Sequence, residues 1–191
     1  MAQTSVAGPQ TAQIPAEPRV TLSDYRNGGI LFSLLVALLV YLGSSADQPT
    51  PKPSALLGPV FAMVGVVALV WLLMVVQRNL ATLRGQASTQ YFRTRNAPPP
   101  ADWIERPART FDNLMQLPTL FYVVCTLMLV TEHVDRAQLA YAWLFVALRA
   151  LHSVVYILWN PLPYRFTTWL MGSVTLFVIW TRFALQAWPG F

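Results

Sequence analysis

Charge is scarce in this chain of 191 residues: Asp, Glu, Lys and Arg make up 11% of it, against about 25% in an average soluble domain. That shortage argues against a water-soluble globule. Lysine is nearly missing, with Lys52 standing among 13 basic residues. The arginines form no run or stripe, which argues against nucleic-acid binding despite a net charge of +5. A single cysteine, Cys125, inside an apolar block removes disulfide frameworks and thiolate metal clusters from consideration. No group of histidines, cysteines and carboxylates has metal-ligand spacing, and no Gly-rich phosphate loop is present. Ser153 and Ser173 have no His/Asp partners at a recognisable spacing, so a serine hydrolase has no support.

What the chain does have is apolar residues, 55% of the total with a mean hydropathy of +0.46, gathered in blocks. Blocks of this kind describe an integral membrane protein. Residues 1–27, rich in Ala, Gln, Thr, Pro and Gly without periodicity, read as a disordered arm. Gly28–Gly43 is uncharged but short for a span, and crosses the bilayer only if residues 22–26 extend its helix. The same block followed by Ser44, Ser45 and Ala46 also resembles a cleavable signal. Beyond a Pro-rich hinge, 55–77 is a clear span, followed by apolar blocks at 117–130, 137–159 and 166–187. The expected architecture is all-α: a four-helix membrane bundle over 55–187 with an extra N-terminal membrane helix as an option. Arg78, Arg84, Arg93, Arg95, Arg106 and Arg109 crowd the segment 78–112, which is therefore expected on the cytoplasmic side.

Polar residues enter the membrane at two places. The 117–130 block is too short to span, so its helix is expected to start upstream at Pro107, whose fixed φ suits a first turn. A continuous helix there would put Arg109, Asn113 and Gln116 within an arc of about 60°. In the next helix Arg149, His152 and Tyr156 share a second stripe, with Arg149 near mid-membrane at a cost of roughly 2.5–3.5 kcal/mol. An interfacial helix end would account for the first stripe, and a structural arginine with a hydrogen-bonded histidine for the second. Topology brings both stripes, with Arg165 after the following turn, to one leaflet. Such a pocket suits an anionic, peptide-like ligand meeting a lipophilic partner.

These residues carry a resemblance. Arg109-Thr-Phe-Asp-Asn113-Leu-Met-Gln116 is similar to the R-x-x-x-N-x-x-E motif of the MAPEG superfamily, the membrane-associated proteins in eicosanoid and glutathione metabolism. Arg149-Ala-Leu-His152-Ser-Val-Val-Tyr156, with Arg165 nine residues on, matches that superfamily's R-x-x-H-x-x-x-Y pattern, and 113–122 (NLMQLPTLFY) resembles its bacterial branch. The resemblance implies a four-helix protomer in a homotrimer in the bacterial inner membrane. It implies glutathione bound by Arg109, Asn113, Gln116, Arg149 and His152, with Arg165 and Tyr156 in the catalytic role. Arg78 or Arg84 would reach a neighbouring protomer's ligand. The implied activity is a glutathione transferase or peroxidase acting on lipophilic electrophiles. A non-catalytic membrane scaffold or accessory subunit on the same fold is the alternative. Two positions depart from the pattern: Gln116 replaces a glutamate, turning a charge-assisted hydrogen bond into a neutral one of about half the strength. Asp112 stands where eicosanoid-type members often carry arginine.

Overall fold

A computed structural model of the chain describes residues 21–44, 50–94 and 96–188. The described residues form seven α-helices: α1 (Leu22–Gly43), α2 (Leu57–Leu83), α3 (Thr89–Thr94), α4 (Asp102–Leu114), α5 (Leu117–Thr131), α6 (Arg136–Leu158) and α7 (Leu162–Ala187). Five stretches are long and apolar enough to cross a membrane: α1, α2 with its preceding 3-10 turn, α4 and α5 taken together, α6 and α7. The protein is an all-helical integral membrane bundle.

The N-terminal arm expected over 1–27 is partly displaced by structure. Residues 1–20 lie outside the described residues, whereas 22–27 are helical, so α1 gains the length that Gly28–Gly43 lacked. Its start is fixed by a capping box, in which the Thr21 backbone N–H donates to Asp24 Oδ2 at 2.9 Å. Ser44 caps the other end, and Ser45 and Ala46 lie outside the described residues.

The third span departs furthest from expectation. Its first helix opens at Asp102, with Pro107 inside it, so Pro107 does not start it. Asp102 and Glu105 in the first turn favour that earlier start by complementing the helix dipole. The chain then breaks at Met115–Gln116 and restarts with Pro118 in the first turn of α5. Pro118 has no N–H to donate to the Leu114 carbonyl and disfavours helical geometry just before it. Gln116 accordingly sits at φ −92°, ψ −81°. Helical register is not carried from Arg109 and Asn113 to Gln116, so the expected single face is lost.

α6 occupies the centre, packing most extensively on α7 and also on α1, α2 and α4. Phe121 of α5 stacks on Phe145 of α6 with ring centroids 4.7 Å apart, both fully buried. In lipid such contacts stabilise through dispersion and fit, since the tails outside are as apolar as the core. α1 lies along α6 and α7. At one end the Tyr141 hydroxyl donates to Leu39 O at 2.8 Å, and at the other Asn27 Nδ2 donates to the Tyr164 hydroxyl at 3.3 Å.

Candidate functional site

The polar stripe of α6 meets Asn113 of α4 and Arg165 where α6 ends and α7 begins. α6 closes at Trp159, and Asn160 takes a left-handed conformation (φ +56°), which asparagine tolerates better than most residues. Pro161 then caps α7 and Pro163 sits in its first turn, where a missing N–H costs nothing. This tight corner sets Arg165 one turn into α7, facing Tyr156 and His152 across the helix pair.

A cavity of about 310 Å³ opens there, lined by Asn113, His152, Tyr156, Arg165, Phe166 and Trp169 among others. Four of the expected site residues thus meet in one place. The Arg165 guanidinium carbon lies 4.5 Å from the Tyr156 ring centroid, a cation–π contact. Its Nη1 donates to Asn160 Oδ1 at 2.8 Å. Among the described residues Arg165 forms no ion pair with a carboxylate. Asn113 contributes from the last turn of α4, its Nδ2 donating to the Arg109 carbonyl at 2.9 Å.

His152 is buried, with Nδ1 3.1 Å from the Arg165 carbonyl and 3.2 Å from Thr168 Oγ1. A carbonyl can only accept, and the Thr168 hydroxyl already donates to the Tyr164 carbonyl at 2.9 Å. Nδ1 therefore carries a proton, and Nε2 has no partner among the described residues. The imidazole is fixed by the backbone of the turn that also supplies Arg165.

Arg149 lies outside the cavity lining. It is fully buried between α6 and α7, where Nη2 donates to the Trp169 carbonyl at 3.1 Å and the guanidinium lies 5.7 Å from the Phe145 ring. A Cβ on Gly172 would stand 2.8 Å from Nη2 and 2.9 Å from Nε, so this glycine makes the notch the guanidinium occupies. Nε and Nη1 have no partner among the described residues. Arg109 is also elsewhere, its Nη2 donating to Asp102 Oδ1 at 2.8 Å in a half-exposed ion pair. Gln116 is exposed at the break between α4 and α5. Arg78 approaches Glu105 at 3.6 Å and lies over the Phe92 ring, while Arg84 is exposed at the end of α2.

Sequence reasoning passed over Asn160, Thr168 and Trp169, which hold Arg165, His152 and Arg149. An Asn-Pro pair closing an apolar block, as at 160–161, is a readable turn signal for the first. The other two act through a hydroxyl and a backbone carbonyl that side-chain motifs do not reveal.

No curated protein and no solved structure matches the chain. A family model does, that of the MAPEG family, over residues 56–185. That match runs from the turn before α2 to the last turn of α7 and covers more than half of the 191 residues. It contains the whole cavity and leaves α1 outside: the chain belongs to the MAPEG family.

Proposed function

We propose that the protein is a glutathione-dependent transferase or peroxidase that acts on lipophilic electrophiles, with the cavity between α4, α6 and α7 as its thiol site. One observation carries the reading: Arg165 is held over Tyr156 and tied to Asn160 without a carboxylate partner among the described residues, inside a cavity of about 310 Å³. An unneutralised cation with an amide, a phenol and an unpartnered imidazole nitrogen around it fits an anionic peptide. Bound there, glutathione would supply a thiolate nucleophile for an electrophilic carbon or a peroxide oxygen.

The chain's own residues have separable tasks in this reading. Arg165 favours a negative charge beside it and so holds a thiolate in its ionised form. The Tyr156 hydroxyl offers a hydrogen bond to the same centre. His152 Nε2 and the Asn113 amide orient the peptide. Arg149, too deep to touch the ligand, holds the Trp169 carbonyl and with it the α7 wall. Arg109 and Gln116 join the site at the boundary with a neighbouring protomer of a homotrimer, where exposed residues of one copy complete the cavity of the next. The cavity end of the bundle faces the cytoplasm of a bacterial cell, in keeping with the arginine-rich 78–112 segment at that end.

Gln116 gives the sharpest test. Glutathione titration of the detergent-solubilised protein, read by calorimetry and thiolate absorbance, is expected to show weak binding that Gln116→Glu tightens by about tenfold, since charge-assisted hydrogen bonds are roughly twice as strong as neutral ones. Absence of binding to both proteins at millimolar glutathione overturns the proposal. A second reading, a scaffold or accessory subunit, is favoured by the pairing of Arg109 with Asp102 and by the exposure of Gln116. It expects Arg165→Ala and Tyr156→Phe to leave every measurable function intact.

A further inference from the structure

A second cavity, of about 280 Å³, lies between the first turns of α1 and α7. It exists only because α1 is present, and α1 stands outside the family match. Two adjacent glycines shape it. A Cβ on Gly28 would lie 2.9 Å from Thr167 Oγ1, so Gly28 lets α1 approach α7 closely. A Cβ on Gly29 meets nothing within 4 Å, and Gly29 lines the cavity: the space is where its side chain would have been. The remaining walls are largely apolar, with Phe32, Pro163, Phe166 and Leu170, while Asp24 in the first turn of α1 marks the polar end.

Phe166 lines this cavity and the polar cavity alike. It is 56% exposed and stacks on Trp169 with centroids 6.2 Å apart. One aromatic side chain thus separates a lipid-side apolar space from the space that holds Arg165 and Tyr156.

We infer that the α1–α7 crevice binds the lipophilic reactant, an uncharged apolar or aromatic molecule drawn from the bilayer, with Phe166 as the partition between it and the thiol site. The inference rests on the glutathione reading and deepens it by naming the reactant's class and seat. Its chemistry follows from the lining: hydrocarbon walls reward an apolar body, and the Asp24 carboxylate, with no lysine or arginine among the described lining residues, repels a carboxylate-ended lipid. The helix that confers this selectivity is the one the family region lacks.

Photolabelling tests occupancy without any need for glutathione. The full chain in lipid nanodiscs is irradiated with an uncharged aryl diazirine or its carboxylate-bearing analogue, and modified peptides are mapped by mass spectrometry. The uncharged probe is expected to mark residues 24–32 and 163–170 several-fold above the lipid-facing surface of α2, and the carboxylate probe is not. Gly29→Phe fills the space from α1 and abolishes the excess; Leu170→Trp fills it from α7 and does the same if the first variant fails to accumulate. In turnover with chlorodinitrobenzene both variants raise KM for the electrophile about tenfold, with kcat and glutathione affinity unchanged. Labelling no stronger than on α2, equal for the two probes, or unmoved by either variant overturns the inference. The expected labelling in a protein that binds no glutathione supports the crevice and overturns the thiol-site reading.

Discussion

The two ends of the α6–α7 pair handle buried polarity in opposite ways. At the end formed by the start of α6 and the close of α7, Asp135 accepts from Arg182 Nε at 2.8 Å, from Gln186 Nε2 at 2.6 Å and from the Gln138 backbone at 2.8 Å. Gln138 in turn donates to Gln186 at 2.7 Å and accepts from the Asp135 backbone at 2.8 Å. Both Asp135 oxygens are used, and the network closes on itself. At the cavity end His152 keeps an unpartnered buried nitrogen, and the Arg165 guanidinium has only an amide and a ring beside it. A closed network clamps two helices, whereas an open one keeps its bonding capacity for something else. Proximity of polar groups is common to both ends; completeness separates the structural cluster from the candidate site.

Removing the clamp should give the largest effect. Asp135→Ala leaves Arg182 partly buried without its counter-charge and strips the α6 cap, and it is expected to cost about 3–5 kcal/mol in reversible unfolding in micelles. Ligand affinity per folded molecule should be untouched. Arg165→Ala tests the other end: thiol conjugation falls about a hundredfold, or about 2.7 kcal/mol, on the scale of losing one oriented charge-stabilising group. Its melting temperature should move little, and a large drop in stability with normal turnover would invert the contrast. Smaller still is Gly172→Ala, which intrudes on a guanidinium with no room to retreat. About 1–2 kcal/mol of overpacking is expected, read as a lowered melting temperature that Arg149→Met partly restores.

Acid should produce the mildest and most selective change. Burial pushes the Asp135 carboxyl up, but the hydrogen bonds from Arg182, Gln138 and Gln186 outweigh it and leave the group below its ordinary value of 3.8. A carboxylate with a depressed native pKa contributes its full stabilisation above that ordinary value. The contribution fades as pH falls through the native value. The gap in melting temperature between wild type and Asp135→Asn should therefore be constant near neutrality and narrow only below about pH 3.8. A gap that narrows near pH 6 would assign the clamp to a different group.

How far the sequence could be read depended on how local the information was. The apolar blocks mark α2, α6 and α7 to within a few residues, except that α2 continues past Gln77 to Leu83. There the polar residues Arg78 and Asn79 end the hydrophobic signal but not the helix, which stops before Gly85 at φ +68°. The stripe of His152 and Tyr156 survives because α6 is unbroken between them. The stripe ending at Gln116 does not, since a proline two residues later decided the backbone. Asn113 reaches the cavity from the same helix in which Arg109 is held away by Asp102, a carboxylate seven residues back on no shared motif. The role of α1 was beyond local reading, because its partners are the far-off Tyr141, Tyr164 and Thr167.

That separation sets an order of assembly during synthesis. Asn27 and Tyr164 are 137 positions apart, so at about 5–20 residues per second the α7 partner of α1 leaves the ribosome roughly 7–27 s after Asn27. Until α6 brings Tyr141, 102 positions after Leu39, the first helix has neither of its packing partners, and its starting N–H groups are satisfied by its own Thr21–Asp24 cap. The crevice consequently cannot form until the first turns of α7 have been made. A nascent chain stalled before α7 would hold every other helix and still have no crevice.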